Sequence, residues 1–269
     1  MINGSYSGLY ALTEQIDGRF TRTHFPNGEG NLYKEIWPID FNGQAMSESK
    51  YLAKLKTNEG ENANVTLMRR FGEAIAASPE EQLQEVVERW MDKDRIVAFA
   101  VVDRAIRNDD GPFHWYCAGA MCFNHNYYWY EDPIAERFHL IPWDLDSTFE
   151  NIIEAANPMT PIADAWGQSR SDCEPFGYGP FRMPQRSAAC DKLTKAWTMY
   201  ESEYADLKAR FNAGPFSTAQ VTAHLDAWVA QVREATEEAI KHHDDALSIS
   251  AWEKAVADLR TSLEYARTN

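Results

Sequence analysis

Hydrophobic and polar positions alternate along the first part of the chain, in short runs separated by glycine. The runs are GLYALTEQID and GNLYKEIWPID, and Asn27, Gly28 and Gly30 lie between them. Alternation with a period of two, bounded by turn residues, is typical of short strands joined as hairpins. The pattern therefore predicts a strand-rich N-terminal part.

Further along, apolar positions recur with helical spacing. Ser78, Pro79 and Glu81 have the spacing of a capping box and predict a helix start ahead of EEQLQEVVERWM. The segment KDRIVAFAVVDRAIR predicts a second helix, with an apolar face broad enough to lie in the core. Ser217 and Ser250 precede two more helical segments near the C-terminus. The second part of the chain should therefore be mainly helical.

A hairpin interrupts this helical part. The runs HNYYWYED and RFHLIPW are rich in aromatic and apolar residues and flank a turn at EDPIAE. Residues 157–185 are rich in Pro, Gly and Ser without periodicity, which predicts a long loop. We therefore expect an α+β fold. Residues 1–77 would form the strand-rich part, and residues 78–269 a helical lobe with an inserted β-hairpin.

Composition restricts the partners of the chain. With 41 acidic against 26 basic residues the net charge is −15, which argues against nucleic acid and anionic membranes as partners. No apolar run approaches the roughly 20 residues that span a bilayer, and the segment MINGSYSGLY lacks the features of a signal peptide. The four cysteines do not have the spacing of a zinc site, and the sequence does not decide whether they form disulfides. Basic proteins, cations and neutral ligands remain as partners.

Polar side chains concentrate at the turn NDDG and at the two ends of the hairpin. Asp110 lies in the turn, Asn126 precedes the first hairpin strand, and Asp144 and Asp146 follow the second. A hairpin returns its ends to one place, so Asn126 and Asp144 should be neighbours. Carboxylates at the end of a buried strand need a cation or a salt bridge. Amide and carboxylate oxygens suit magnesium or manganese, although turn residues and helix caps explain the spacing equally well.

Six segments resemble those of the CotH family, the spore-coat protein H-like atypical protein kinases, and occur in the same order. They are NGSYSGLYALTEQID, GNLYK, LKTN, NDDG, HNYYWY and IPWDLDSTF. The resemblance is strongest from Asn3 to Phe149 and looser over the C-terminal helices. It implies an atypical protein-kinase-like fold. It also implies transfer of phosphate from ATP, with magnesium or manganese, to Ser or Thr of a protein substrate. The net charge would favour a basic substrate segment.

The resemblance also implies roles for individual residues. Asp110 matches the catalytic Asp of the family's NxDG turn, and Asn126 matches a metal ligand. Asp144 matches the metal-binding Asp of the family's WDLD motif. Asp146 would either bind metal too or hold the loop by accepting backbone hydrogens. The order Asp, Asn, Asp is that of protein kinases, where one Asp orients the nucleophile and the other two residues hold the metal.

Each of three further positions has a functional and a purely structural interpretation. Glu14 would contact the nucleotide at the hinge between the lobes, or lie on the solvent-exposed face of a strand. Lys34 would contact a phosphate or Asp144, or remain a solvated strand lysine. For His125 we expect packing at the start of the hairpin rather than a role as base or ligand.

The chain departs from the family pattern at its start. In the family, the first motif follows a segment with an Arg-Gly-Asn-Ser-type stretch and a lysine that resembles the strands covering nucleotide phosphates. Here Met1 stands almost directly before that motif, so we expect a fragment or a short form that lacks half of the nucleotide cleft. A truncated pseudokinase or a spore or surface interaction module is therefore the alternative.

A glycosidase ranks last, because Asp144 and Asp146 are too close in sequence to flank a sugar ring. Family members are often secreted or spore-associated, but this sequence assigns no compartment.

Overall fold

A computed structural model describes residues 6–108, 110–119, 121–149, 173–178 and 182–268. The helices of these residues are α1 (Gly18–His24), α2 (Glu48–Leu52), α3 (Thr66–Ala77), α4 (Leu83–Trp90), α5 (Lys93–Ala105), α6 (Lys192–Thr198), α7 (Glu201–Ala213), α8 (Thr218–His242) and α9 (Ile249–Thr268). The strands are β1 (Leu32–Lys34), β2 (Trp115–Ala118), β3 (Met121–Phe123), β4 (Tyr127–Asp132), β5 (Arg137–Pro142), β6 (Phe176–Tyr178) and β7 (Met183–Arg186). Helices and sheets are both present, as an α+β fold requires.

The strands form two antiparallel sheets, with orders β1-β4-β5 and β3-β2-β7-β6. The pair β4 and β5 is the hairpin that the sequence predicts. In its register Tyr128 lies opposite Ile141, and on the other side Tyr128 lies opposite Lys34 of β1. As the central strand, β4 is buried along its whole length. The aromatic residues of this strand therefore belong mostly to the core.

Trp37 lies in the middle of an aromatic core. Its ring meets those of Trp115, Tyr127 and Trp197 edge to face, with centroids 5.4–5.7 Å apart, an arrangement that the ring quadrupoles favour. The indole N–H of Trp37 donates to Asp191 at 3.1 Å, so its polar atom is satisfied in the interior. This core joins the first sheet to α6 and to β2, the strand that follows the NDDG turn.

The prediction of a strand-rich N-terminal part is wrong. Residues 6–16 form neither helix nor strand, and between residues 17 and 77 the described strand β1 is accompanied by three helices. The first helix forms because the Asp17 carboxylate accepts hydrogen bonds from the backbone N–H groups of Arg19 and Phe20. Gly30 explains the chain's close approach to β4, since a Cβ there would lie 1.8 Å from the carbonyl oxygen of Glu131.

Two other boundaries differ from the expected ones. Ser78 ends α3 instead of opening a helix, because its backbone N–H and its hydroxyl both donate to the carbonyl of Ala74. In the predicted loop 157–185, residues 157–172 and 179–181 lie outside the described residues. For the described residues of this segment the prediction of a loop is wrong, because they contain β6 and most of β7. The helix KDRIVAFAVVDRAIR is confirmed as α5, with its N-terminus capped by Asp92.

The described residues pack as two compact units. One comprises residues 6–14 and 209–268, and the other is Gln15–Lys208. In the first unit the Tyr6 hydroxyl donates to the carbonyl of Ala235 at 2.9 Å. The second contains both sheets. The lobe boundary expected at residue 77 falls within this second unit, at the end of α3, and stays a prediction. Across the residues described, no helix has the length and apolar character needed to span a bilayer.

Candidate active site

Asp110 lies in the turn that follows α5. The chain leaves the helix through Arg107, whose φ of 54° is in the left-handed region. The backbone N–H of Asn108 donates to the carbonyl of Asp103 at 3.1 Å. The side-chain oxygen of Asn108 in turn accepts from the backbone N–H of Asp110 at 3.3 Å. The turn is therefore fixed by its own polar groups.

A buried network supports this turn from below. Asp103 and Arg104 form an ion pair of 2.5 Å, and the Arg104 guanidinium also donates to the carbonyl of Asn108 at 2.8 Å. The Asn108 amide closes the network by donating to Asp103 at 2.8 Å. Burial raises the pKa of Asp103, while the adjacent guanidinium and amide oppose the shift. Breaking one member would leave a buried charge uncompensated, so the network holds the turn in one conformation.

His114 completes the network. Its Nε2 atom lies 3.0 Å from the carbonyl oxygen of Asn108. Burial lowers the pKa of His114 to about 3, so its imidazole is neutral at physiological pH. The ring nitrogen facing that carbonyl therefore carries the proton and donates.

The Asp110 carboxylate is held at both of its oxygens. Oδ1 lies 2.5 Å from Nε2 of His125, and Oδ2 accepts from the amide nitrogen of Asn126 at 2.9 Å. The same amide nitrogen also donates to the Asp110 carbonyl at 2.8 Å. Both side chains of the contact with His125 remain 29% exposed. The carboxylate is thus fixed in orientation while it stays accessible to a substrate.

The two groups shift each other's titration. Burial acts to raise the pKa of Asp110, but hydrogen bonds from His125 and Tyr116 outweigh it and the pKa is lowered. The hydrogen bond to Asp110 raises the pKa of His125, against the effect of burial. Both shifts favour a carboxylate facing a protonated imidazole.

A second hairpin brings His125 to Asp110. The chain passes from the turn into β2, reverses, and returns through β3, so that Tyr116 and Phe123 lie opposite each other. A disulfide between Cys117 and Cys122 closes the hairpin near its tip. The Tyr116 ring stacks on His125 with centroids 5.1 Å apart. Another disulfide, Cys173–Cys190, joins the segment of β6 to the turn before α6.

Asp144 lies at the open end of the hairpin of β4 and β5, where the sequence places it. The backbone N–H of Trp143 donates to the carbonyl of Asn126 at 3.2 Å, so Asp144 is one residue beyond a direct cross-strand partner. Its φ of 54° turns the chain into a short 3₁₀ helix, and its side chain is exposed. The charge of Asp144 also contributes to the raised pKa of His125. No hydrogen bond or ion pair engages this carboxylate among the residues described.

Asp146 lies in the same 3₁₀ helix, with an exposed side chain. Within the described ranges, no hydrogen bond reaches its carboxylate, so nothing there supports the expectation that it holds the loop. Its role as a metal ligand stays a prediction.

Lys34 and Glu14 lie in different units. The Lys34 ammonium is 5.4 Å from the ring centroid of Trp143 and 5.6 Å from that of Tyr128, which are cation–π contacts. Lys34 is therefore near the residue that precedes Asp144. Glu14 belongs to the first unit, and its place at a nucleotide hinge stays a prediction.

Comparison with known families identifies the chain. The family model described as CotH kinase protein matches residues 1–268. The chain belongs to the CotH family. A comparison with curated proteins finds no match. The resemblance of the six short motifs is therefore confirmed over nearly the whole CotH chain.

The site of this CotH protein contains one residue whose contact differs from the one that the sequence predicts. His125 was expected to pack, yet it contacts the expected catalytic carboxylate directly. Its position directly before Asn126 in HNYYWY is the sequence signal that places His125 near the expected site. The sequence does not indicate the role of the buried ion pair between Asp103 and Arg104, because that role depends on contacts with the turn at Asn108.

A CotH kinase implies a nucleotide with a divalent cation, and the residues present fit that group. Asn126 uses its amide nitrogen on Asp110, which leaves its amide oxygen as an acceptor. Asp144 adds an exposed carboxylate nearby. Magnesium is commonly held by one or two carboxylates together with phosphate oxygens. In the described parts of the chain, no group of three or more His, Cys, Asp and Glu side chains could hold a metal ion. The amide oxygen of Asn126 and the Asp144 carboxylate are donors of the kind that a magnesium ion takes.

Proposed function

We propose that this CotH protein is a protein kinase with an atypical kinase-like fold, which transfers phosphate from ATP to a Ser or Thr hydroxyl. The main support is the Asp110 carboxylate, which His125 and Asn126 hold in one orientation while it stays accessible. The mouth of the hairpin with Asn126 and Asp144 lies beside it. Phosphoryl transfer requires these two tasks, orientation of the nucleophile and binding of the metal ion.

The chain's own residues divide into two groups. Asn126 and Asp144 would hold magnesium or manganese, with Asp146 as a further ligand, and the Lys34 ammonium would contact a phosphate. Bound ATP would supply the phosphoryl group and leave as ADP, and the divalent cation would offset the charge of the phosphates.

Asp110 would act on the acceptor. Its carboxylate accepts a hydrogen bond from the substrate hydroxyl, which aims the hydroxyl oxygen, and then takes the proton that the oxygen loses. A lowered pKa keeps Asp110 ionised at neutral pH, so both of its oxygens are acceptors and the carboxylate can take up a proton. Because the transition state of phosphoryl transfer is loose, orientation of the nucleophile matters more than strong basicity.

The first test is the thermal melting shift with ATP plus magnesium or manganese, compared with either component alone. A ligand at about 100 times its Kd adds about 2.7 kcal/mol to the free energy of unfolding. That corresponds to a rise of several degrees in a protein of this size. Asp144→Asn should abolish the shift. Asp258→Asn, an exposed carboxylate on α9, is the matched control and should keep it.

The two outcomes separate the proposed kinase from an interaction module. A shift that needs nucleotide and metal together, and is lost in Asp144→Asn, supports the kinase and justifies phosphotransfer assays with basic Ser- and Thr-containing peptides. Absence of any shift at saturating concentrations would contradict the proposal for this chain. It would favour a pseudokinase or scaffold.

A further inference from the structure

We propose that His125 is a positioning residue, which fixes the Asp110 carboxylate in the orientation that receives the substrate hydroxyl. The kinetic consequence of this role rests on the proposed function. The contact itself does not, because spectroscopy detects it in the absence of any substrate.

Three side chains hold Asp110, namely Asn126, His125 and Tyr116, whose hydrogen bond also reaches the carboxylate. Asn126 engages Oδ2 and the carbonyl of Asp110, and His125 lies 2.5 Å from Oδ1. A carboxylate held at one oxygen can still rotate about its terminal torsion, which has a broad energy well. A second contact on the other oxygen removes that freedom. His125 therefore helps to set the direction of the remaining lone pairs of Asp110, together with the tyrosine that stacks on it.

His125 is itself held in place by the hairpin of β2 and β3. Tyr116 stacks on the imidazole with an interplanar angle of 22°, which fixes the plane of the ring. The Cys117–Cys122 disulfide joins the two strands just beyond that contact. The two contacting residues are 15 positions apart in sequence, and the hairpin between them brings them together. A side chain that only filled space would need neither the stacking partner nor the polar contact.

The kinetic experiment compares His125→Gln with His125→Leu. Glutamine keeps an N–H donor at about the distance of Nε2, whereas leucine keeps bulk without a donor. A misplaced catalytic group can cost up to about 100-fold in rate. We therefore expect kcat to fall by about 10- to 100-fold in His125→Leu, with KM for ATP and the ATP–magnesium melting shift unchanged. His125→Gln should retain most of the turnover. His224→Leu, a histidine on the exposed face of α8, serves as the control.

A spectroscopic experiment tests the contact without any substrate. Protein with ¹⁵N-labelled histidine should show a far-downfield imidazole N–H proton, as expected for a short N–H···O bond to a carboxylate. The signal should disappear in Asp110→Ala and in His125→Gln, and persist in His224→Leu.

Each outcome decides the proposal. Normal kcat in His125→Leu would overturn it, and so would equal loss in the Gln and Leu variants, since the ring rather than the donated bond would then matter. If the native chain transfers no phosphate to any acceptor, the proposed function fails. The downfield proton then decides whether His125 holds Asp110, and its absence from the native spectrum would overturn the proposal.

Discussion

Asp110 is the single residue on which the proposed chemistry depends most. Its carboxylate contacts His125 and Asn126, and the backbone that carries it is held by Asn108. Of these partners, only Asn126 also belongs to the proposed metal-binding group, through its amide oxygen. Substitution at Asp110 should therefore separate turnover from nucleotide binding.

We expect Asp110→Asn to lower kcat by about 10²- to 10⁴-fold, the range that a positioned proton acceptor contributes. KM for ATP should stay near the native value, and the melting shift with ATP and magnesium should persist. Initial-rate kinetics and thermal melting on the same preparation measure both. Turnover at the native rate would remove Asp110 from the mechanism.

Glu131 is a residue whose titration affects the fold instead of the reaction. It is buried on β4 and accepts hydrogen bonds from the Tyr33 hydroxyl at 2.7 Å and from the Asn31 amide at 3.3 Å. Burial raises the pKa of Glu131 from 4.5 to about 7, and these hydrogen bonds only partly oppose the shift. Between these two values the unfolded chain has lost a proton that the native protein keeps. The free energy of unfolding therefore falls as the pH rises through this window.

Glu131→Gln should remove this contribution, because an amide resembles the protonated acid. We expect the native protein to lose about 2 to 4 kcal/mol between pH 4.5 and 7 from this group. The variant should lose correspondingly less. Urea unfolding at several pH values measures the difference. An identical pH dependence in both proteins would show that Glu131 titrates normally.

At the scale of elements, Lys192 at the start of α6 caps the end of α3. Its ammonium donates to three carbonyls, those of Ile75, Ala76 and Ser78, at 2.9–3.1 Å. The last carbonyls of a helix have no partners within it, and a cation there also interacts favourably with the helix dipole. This one side chain therefore fastens α6 to α3.

Lys192→Met should lower the free energy of unfolding by about 1.5 to 3 kcal/mol, the range for hydrogen bonds to a charged group. Lys195→Met is the matched control on the same helix. Lys195 forms a partly exposed ion pair with Glu80 at 2.7 Å, so its loss should cost less than about 1 kcal/mol. Chemical denaturation of the two variants measures the contrast. Equal effects would show that the three carbonyls gain little from Lys192.

The hairpin of β2 and β3 is another element whose strength can be measured. Closing so short a loop with a disulfide contributes about 2 kcal/mol in the chain-entropy model. The double variant Cys117→Ser with Cys122→Ser should lose up to that amount. If the hairpin holds His125, the variant should also weaken the downfield imidazole signal. A variant with lower stability but an undiminished signal would show that the strands alone hold the hairpin.

The elements also show which parts of the fold the sequence could predict. The broad apolar face of α5 and the aromatic runs of β4 and β5 span enough residues for their periodicity to be decisive. The run GLYALTEQID is short, so its alternation is weak evidence for a strand, and Asp17 at its end caps a helix instead. Around the site, the register of the hairpin could be inferred, so Asn126 and Asp144 were expected together. The contact of His125 with Asp110 required the β2 and β3 hairpin, which no pattern predicted.

At the scale of the whole molecule, the net charge of −15 affects encounters with substrates. A strongly acidic protein attracts basic segments over distances near the Debye length, and salt weakens that attraction. For the proposed kinase, kcat/KM toward a basic peptide should therefore fall as ionic strength rises from about 0.05 to 0.3 M. An acidic peptide with the same acceptor should show the opposite trend. Salt responses of the same sign for the two peptides would exclude steering.

The two disulfides also determine how the protein must be prepared. Disulfides form and persist in oxidising environments and are rare where glutathione and thioredoxin keep thiols reduced. Chain made in the cytosol of an ordinary expression host would therefore carry Cys117 and Cys122 as thiols, with the hairpin beside Asp110 unclosed. Expression with export to an oxidising compartment, checked by thiol titration, would give the bonded form. Without that check, an inactive preparation would be mistaken for a naturally inactive kinase.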